Sequence, residues 1–165
     1  ASKAVWKVNG RAADDVWLVG SEGVSLYWDG ISLQQIDTGA STSLFTVHGN
    51  DNLFVAVGGL ASGAILENAG DGWTNVTPES TYGLTGVYID PEDRGYAVGQ
   101  YGTVFERVGG SWSQSKLGFY VDQGLHATWI DPEGGMWAVG GQVLSTPLTD
   151  GLIIHYGTQI GSEGL

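Results

Sequence analysis

A chain of 165 residues with 28 glycines, only four prolines and no collagen-like period uses its glycines as turns, and its seven Trp, seven Tyr and four Phe supply enough apolar surface to exclude disorder. Six basic against 18 acidic residues, a net charge of −12, repel phosphate backbones and anionic headgroups, which excludes nucleic acid and membrane surfaces as natural partners. Cysteine is absent, ruling out disulfides and thiolate metal sites, and no apolar run approaches the ~18 residues of a membrane-spanning helix.

Short apolar segments bounded by Gly, Asn, Asp and Ser predict strands throughout, and no helical period emerges. The first strand falls at 5–8, followed by a polar turn at 9–14 and a second strand at 16–20. A third at 24–28, a turn at Gly30 and a polar strand at 31–36 complete the unit. The next unit runs 44–47, 54–58 and 64–68, then turns at Gly70 into 73–77. A third unit runs 87–89, 95–99 and 103–107, then turns at Gly109 into 112–117. The last runs 127–130, 136–140 and 152–156, with a polar strand expected from Thr158 onward.

The second strands align without gaps. Gly20, Gly58, Gly99 and Gly140 close them at spacings of 38, 41 and 41 residues. Trp17, Val55, Tyr96 and Trp137 share one position, and Val19, Val57, Val98 and Val139 another. Within each unit the first two strands are apolar on both faces and the last is polar. A sandwich would alternate cleanly in every strand, whereas sheets stacked radially fade from apolar to polar along the unit. The expected fold is all-β: a β-propeller-type array of four four-stranded antiparallel blades at 4–37, 44–77, 84–117 and 125–160, complete or part of a larger propeller. Trp17, Tyr96 and Trp137 should then be buried between blades, with Val55 in the same slot.

The pattern Trp-Ala-Val-Gly, a glycine turn and then Trp resembles bacterial propellers of the Asp-box, or BNR-like, group, nearest the photosystem II stability/assembly-factor type and its secreted relatives. Gly70 and Gly109 keep the glycine of the box, and Trp73 and Trp112 its tryptophan. Asn68 and Arg107 stand at the Asp position, and Leu33 replaces the Trp of the first unit. The resemblance implies an extracytoplasmic protein. Box residues tie a hairpin together, so they imply no catalysis.

Some propellers of this group are sialidases, which clamp a carboxylate with several arginines and use a Tyr–Glu nucleophilic pair. The three arginines here, Arg11, Arg94 and Arg107, lie in turns and at a strand end where convergence is hard. His48, His126 and His155 lack metal-ligand spacing, and the Asp and Asn of the turns at 9–14, 49–52, 90–93 and 131–134 read as turn caps. No catalytic residue, metal site or cofactor is therefore expected.

What remains is loop surface. In a propeller the second-to-third-strand turns and the blade connections share one rim. The longer stretches there are 78–83, 118–124 and 141–150. They and the short turn between them offer Tyr82, Tyr101, Phe119, Tyr120 and Asp122 as candidate ligand-binding residues, suited to a sugar ring or a partner protein. The opposite rim, with Asp14, Asp15, Asp51, Asp90, Glu92, Asp93, Asp131 and Glu133, reads as a solvated acidic skirt. The expected function is a non-catalytic binding or assembly module. A sialidase-like hydrolase fragment and a purely structural array are the alternatives. Four blades are few for a ring, so self-association or the remainder of a larger propeller is expected to cover the end blades.

Overall fold

The apolar segments are too short for helices and rich in Val, Ile, Tyr and Trp, which pack well on a pleated surface. The computed structural model describes residues 3–142 and 150–157. Within them the chain forms four antiparallel sheets, each with its strands in sequence order. The first sheet holds β1 (Val5–Ala12), β2 (Asp15–Gly20), β3 (Ser25–Trp28) and β4 (Leu33–Gln35). The second holds β5 (Leu44–Gly49), β6 (Phe54–Gly58), β7 (Ala64–Asn68) and β8 (Thr74–Asn75). The third holds β9 (Leu84–Ile89), β10 (Gly95–Gly99), β11 (Val104–Val108) and β12 (Ser111–Gln114). The fourth holds β13 (Gly124–Ile130), β14 (Met136–Gly141) and β15 (Gly151–Tyr156). Its expected polar strand from Thr158 lies outside the described residues.

The first strands of the third and fourth sheets begin three residues earlier than the apolar runs at 87–89 and 127–130 indicate. The reason is a bulge at one repeated position. Register shifts fall at Trp6, Phe45, Thr85 and His126, so an unpaired residue sits near the start of each first strand, and in the third and fourth sheets that residue is polar and interrupts the apolar run. The polar fourth strands are shorter than expected, at 33–35, 74–75 and 111–114.

The repeated glycine at the end of each second strand has a steric cause. A Cβ on Gly20, Gly58, Gly99 or Gly140 would lie 1.9–2.0 Å from the backbone oxygen of Ala4, Ser43, Gly83 or Gly124, the residue entering the same sheet. No side chain fits that approach.

Neighbouring sheets stack in chain order, β1 beside β5, β5 beside β9 and β9 beside β13. Because successive residues of a strand point to opposite faces, each inner sheet feeds two cores. On β6, Phe54 and Ala56 pack toward Trp17 and Val19 of the first sheet, while Val55 and Val57 pack toward Leu84, Val87 and Phe105 of the third. On β10, Ala97 joins that second core, and Tyr96 and Val98 meet Leu125, Met136 and Ile154 of the fourth sheet. Trp17, Val55 and Tyr96 are buried as expected. Trp137 is not: it is only half-buried, because among the described residues no sheet covers its face of the fourth sheet.

Polar tethers reinforce the stacking. Trp73 of the second sheet donates its indole N–H to Ser25 Oγ of the first at 3.0 Å, and Trp112 of the third donates to Glu67 Oε1 of the second at 2.6 Å. Arg107 adds a fork to the same Glu67, Nε to Oε1 at 2.6 Å and a terminal nitrogen to Oε2 at 3.1 Å. That carboxylate keeps the guanidinium charged despite its burial, raising its pKa. Trp73 and Trp112 thus each fasten their sheet to the one before it. Among the described residues no helix is long and apolar enough to cross a membrane.

Candidate functional site

The turns between second and third strands and the connections between sheets meet along one edge of the array. Ser21 N–H donates to Ala4 O at 2.8 Å, Gly59 N–H to Ser43 O at 2.8 Å and Gln100 N–H to Gly83 O at 2.9 Å, closing each turn onto the entry of its own sheet. Gly63 N–H to Thr81 O and Gly102 N–H to Gln123 O then bind the turns to the connections that follow.

Two of these turns are single 3-10 turns, Ser21–Gly23 and Gln100–Gly102, with Glu22 (φ 52°) and Tyr101 (φ 55°) in the left-handed region. The strain belongs to the turn and not to the tyrosine, since a glutamate bears it equally in the first sheet. Its effect is to aim the Tyr101 ring outward, 63% exposed. There it meets Tyr82 edge-on, with ring centroids 5.4 Å apart and planes at 72°. This is a favoured aromatic geometry.

The 118–124 connection is held at its middle. Val121 packs into the core beside Tyr96 and closes on Gly102, where a Cβ would lie 2.5 Å from it. With Val121 turned inward, Tyr120 (89% exposed) and Asp122 are turned out, and Phe119 is also exposed. Of the five sequence candidates the structure therefore brings Tyr82 and Tyr101 into contact and puts Phe119, Tyr120 and Asp122 on a loop bonded to the Tyr101 turn. No ring contact joins Phe119 or Tyr120 to the tyrosine pair among the described residues. Leu60, exposed on the neighbouring turn, extends this surface and escaped sequence reasoning, because a lone leucine in a glycine turn carries no signal. Residues 143–149 of the third candidate stretch, 141–150, lie outside the described residues.

The opposite edge is a solvated skirt in part: Asp14, Asp51, Glu92 and Glu133 are exposed as expected, while Asp15, Asp90, Asp93 and Asp131 are drawn into the structure. Asp90 is buried, accepts the Arg94 and Glu92 backbone N–H groups at 2.8 and 3.0 Å, and binds Arg94 Nε at 2.7 Å. Asn50 of the preceding turn donates to Asp90 O at 2.7 Å and to Asp93 Oδ1 at 2.6 Å. The Asn52 and Asn50 amides hold the Asp93 carboxyl below its ordinary pKa. Arg11 likewise reaches Asp51 O at 2.9 Å while paired with Asp15 at 2.5 Å. These acids cap their own turns and join turn to turn, which occupies much of their capacity. All three arginines are engaged by protein carboxylates, Arg11 by Asp15, Arg94 by Asp90 and Arg107 by Glu67. Among the described residues no group of three acidic or histidine side chains could hold a metal ion.

A concavity lies where the first strands of the four sheets adjoin. It is a groove of about 180 Å3 lined by Lys7, Thr46, His48, Tyr88, His126 and Thr128 among others. A strand at the end of its sheet carries unpaired backbone groups. Here side chains of the preceding sheet's first strand satisfy several of them. Gly49 N–H donates to Asn9 Oδ1 at 3.0 Å, Ile89 N–H to His48 Nδ1 at 3.2 Å, and Thr46 Oγ1 donates to Thr85 O at 2.6 Å. Burial, then the Lys7 charge, lowers the His48 pKa, in keeping with a neutral acceptor ring. Polar residues inside the apolar first strands, at aligned positions of successive units, are the signal that would have found this groove.

No protein-family model matches the chain, and no curated protein matches it.

Proposed function

We propose that the chain is a non-catalytic binding module of β-propeller type, taking its partner on the edge that carries Tyr82, Tyr101, Phe119 and Tyr120. The propeller reading is supported by the stacking of four up-and-down sheets with their first strands side by side. The binding reading rests on one observation: large aromatic side chains stand exposed on connections that the backbone itself holds in place. Rigid aromatic faces beside a carboxylate, Asp122, suit the apolar face and hydroxyls of a sugar, and they also serve as protein hot spots. The extracytoplasmic setting follows from the likeness of the repeat to secreted propellers.

A glycan array tests it. The unmodified chain should retain a defined saccharide set, and the Tyr101→Ala/Tyr120→Ala variant should lose it by tenfold or more, with Glu92→Ala unchanged. Equal binding by the tyrosine variant would remove the aromatic edge from the reading. The structural-array alternative has its own support in the apolar faces left bare at both ends. No observation favours the hydrolase alternative.

A further inference from the structure

The cores between sheets are built by one rule: the trailing face of a sheet meets the leading face of the next. The trailing set is Trp17 and Val19 in the first sheet, Val55, Val57 and Ile65 in the second, and Tyr96, Val98 and Val104 in the third. Strand pairing puts Trp137, Val139 and Ile153 at the same positions in the fourth. There they are uncovered. Val139 is 45% exposed where Val19, Val57 and Val98 are at 0%, and Ile153 is 71% exposed where Ile65 is at 0%.

The leading set behaves in the same way. Leu44, Val47, Ala56 and Leu66 of the second sheet are fully buried against the first. The first sheet carries Val5, Val8, Leu18 and Leu26 at those positions, two exposed and two half-buried. Leu33, in register with Trp73 and Trp112, stands exposed where those tryptophans reach back onto the preceding sheet. One end of the array thus presents the chemistry that three internal cores bury, and the other end presents its complement.

We infer that two copies of this chain dock head to tail, the fourth sheet of each against the first sheet of the other, so that their eight sheets close one ring. The internal cores define the occupant, because the trailing faces of the first three sheets are each covered by the leading face of the sheet that follows. They also set the polarity: among the described residues no leading face meets a leading face. A contact of unlike faces must close or grow into a filament. Eight sheets fall within the range of four to eight blades found in closed propellers. The inference rests on the stacking of the sheets and not on the aromatic edge, so the glycan experiment and the one below fail independently.

Sedimentation velocity over a concentration series reads the outcome. The unmodified chain should run as a single dimer. Val139→Lys spoils the tail and Val8→Lys spoils the head, and each variant alone should run as a monomer with an unchanged far-UV spectrum. An equimolar mixture should recover a dimer, joined through the one intact head and the one intact tail. Should Val139→Lys misfold, Ile153→Lys tests the same face. A monomer at every soluble concentration would overturn the inference and give the end faces to another partner. A ladder of sizes would overturn ring closure. Persistence of the dimer in only one of the two variants would overturn the head-to-tail arrangement in favour of like faces meeting.

Discussion

Trp17 and Trp137 occupy the same position in their repeats and meet different fates. Trp17 lies 8% exposed, packed on Tyr27 at 4.7 Å between ring centroids, with Trp73 edge-on at 5.1 Å. Trp137 packs at a tilt on His155 at 4.5 Å, donates its indole N–H to Asp131 at 3.0 Å, and is only half-buried. The same strand pattern gives a core residue in one sheet and a surface residue in another. Burial here is conferred by the neighbouring sheet, and the local sequence supplies only a face fit to be buried.

Truncation of the two residues should separate them most sharply. Trp17→Ala should cost ~3–5 kcal/mol, the range for opening a large cavity in a core. Trp137→Ala should cost about 1 kcal/mol, since the side chain already meets water. Both are measured by urea unfolding in a Val8→Lys background, which keeps the end faces apart. Equal losses would mean that the fourth sheet is covered within a single chain.

The next contrast is polar. Glu67 and His155 hold equivalent positions on the third strands of the second and fourth sheets. Glu67→Ala strips three donors of their acceptor and leaves the buried Arg107 without its partner, which should cost about 3 kcal/mol. In the same background His155→Ala should cost about 1 kcal/mol, since it loses one 3.6 Å contact with Asp131 and its ring contact with Trp137 and leaves no buried guanidinium unpaired. A smaller loss at Glu67 than at His155, in the same urea series, would break the argument that the tethers between sheets stabilise the stack.

The smallest expected effect concerns the joint between first strands. Asn9 and His48 play one role, each accepting a backbone N–H from the next sheet, but only His48 titrates. Its folded-state pKa lies below the ordinary 6.5, so the unfolded chain takes up the proton first as pH falls. The stability it contributes is complete above that ordinary value and is lost as pH falls toward the folded one. His48→Asn copies the first sheet's solution into the second. The difference in urea midpoint between about pH 7.5 and about pH 5.5 should shrink in that variant. An unchanged difference would assign the acid sensitivity to other groups.

The strands were legible wherever apolar residues run without interruption, as at Phe54–Gly58 and Gly95–Gly99. They were hidden where a bulge places Thr85 or His126 inside the run. Loop length pointed to Tyr82, Tyr101 and the 118–124 connection, because glycines and a break in apolar pattern are local features. The inward turn of Val121 that exposes Tyr120, and the edge-on pairing of the two tyrosines, depend on contacts between segments and leave no local trace.

By itself the sequence determined the repeat: strand, turn, strand, with a glycine at 20, 58, 99 and 140 and an apolar residue for each face. These follow from short-range sterics and the two-residue period of a strand, which any one unit expresses alone. Only the tertiary structure decided which faces are covered, which acids are bonded turn to turn, and which polar side chains serve a neighbouring strand's free edge. Those outcomes belong to pairs of sheets, so a unit identical in pattern is core at one place and open surface at another.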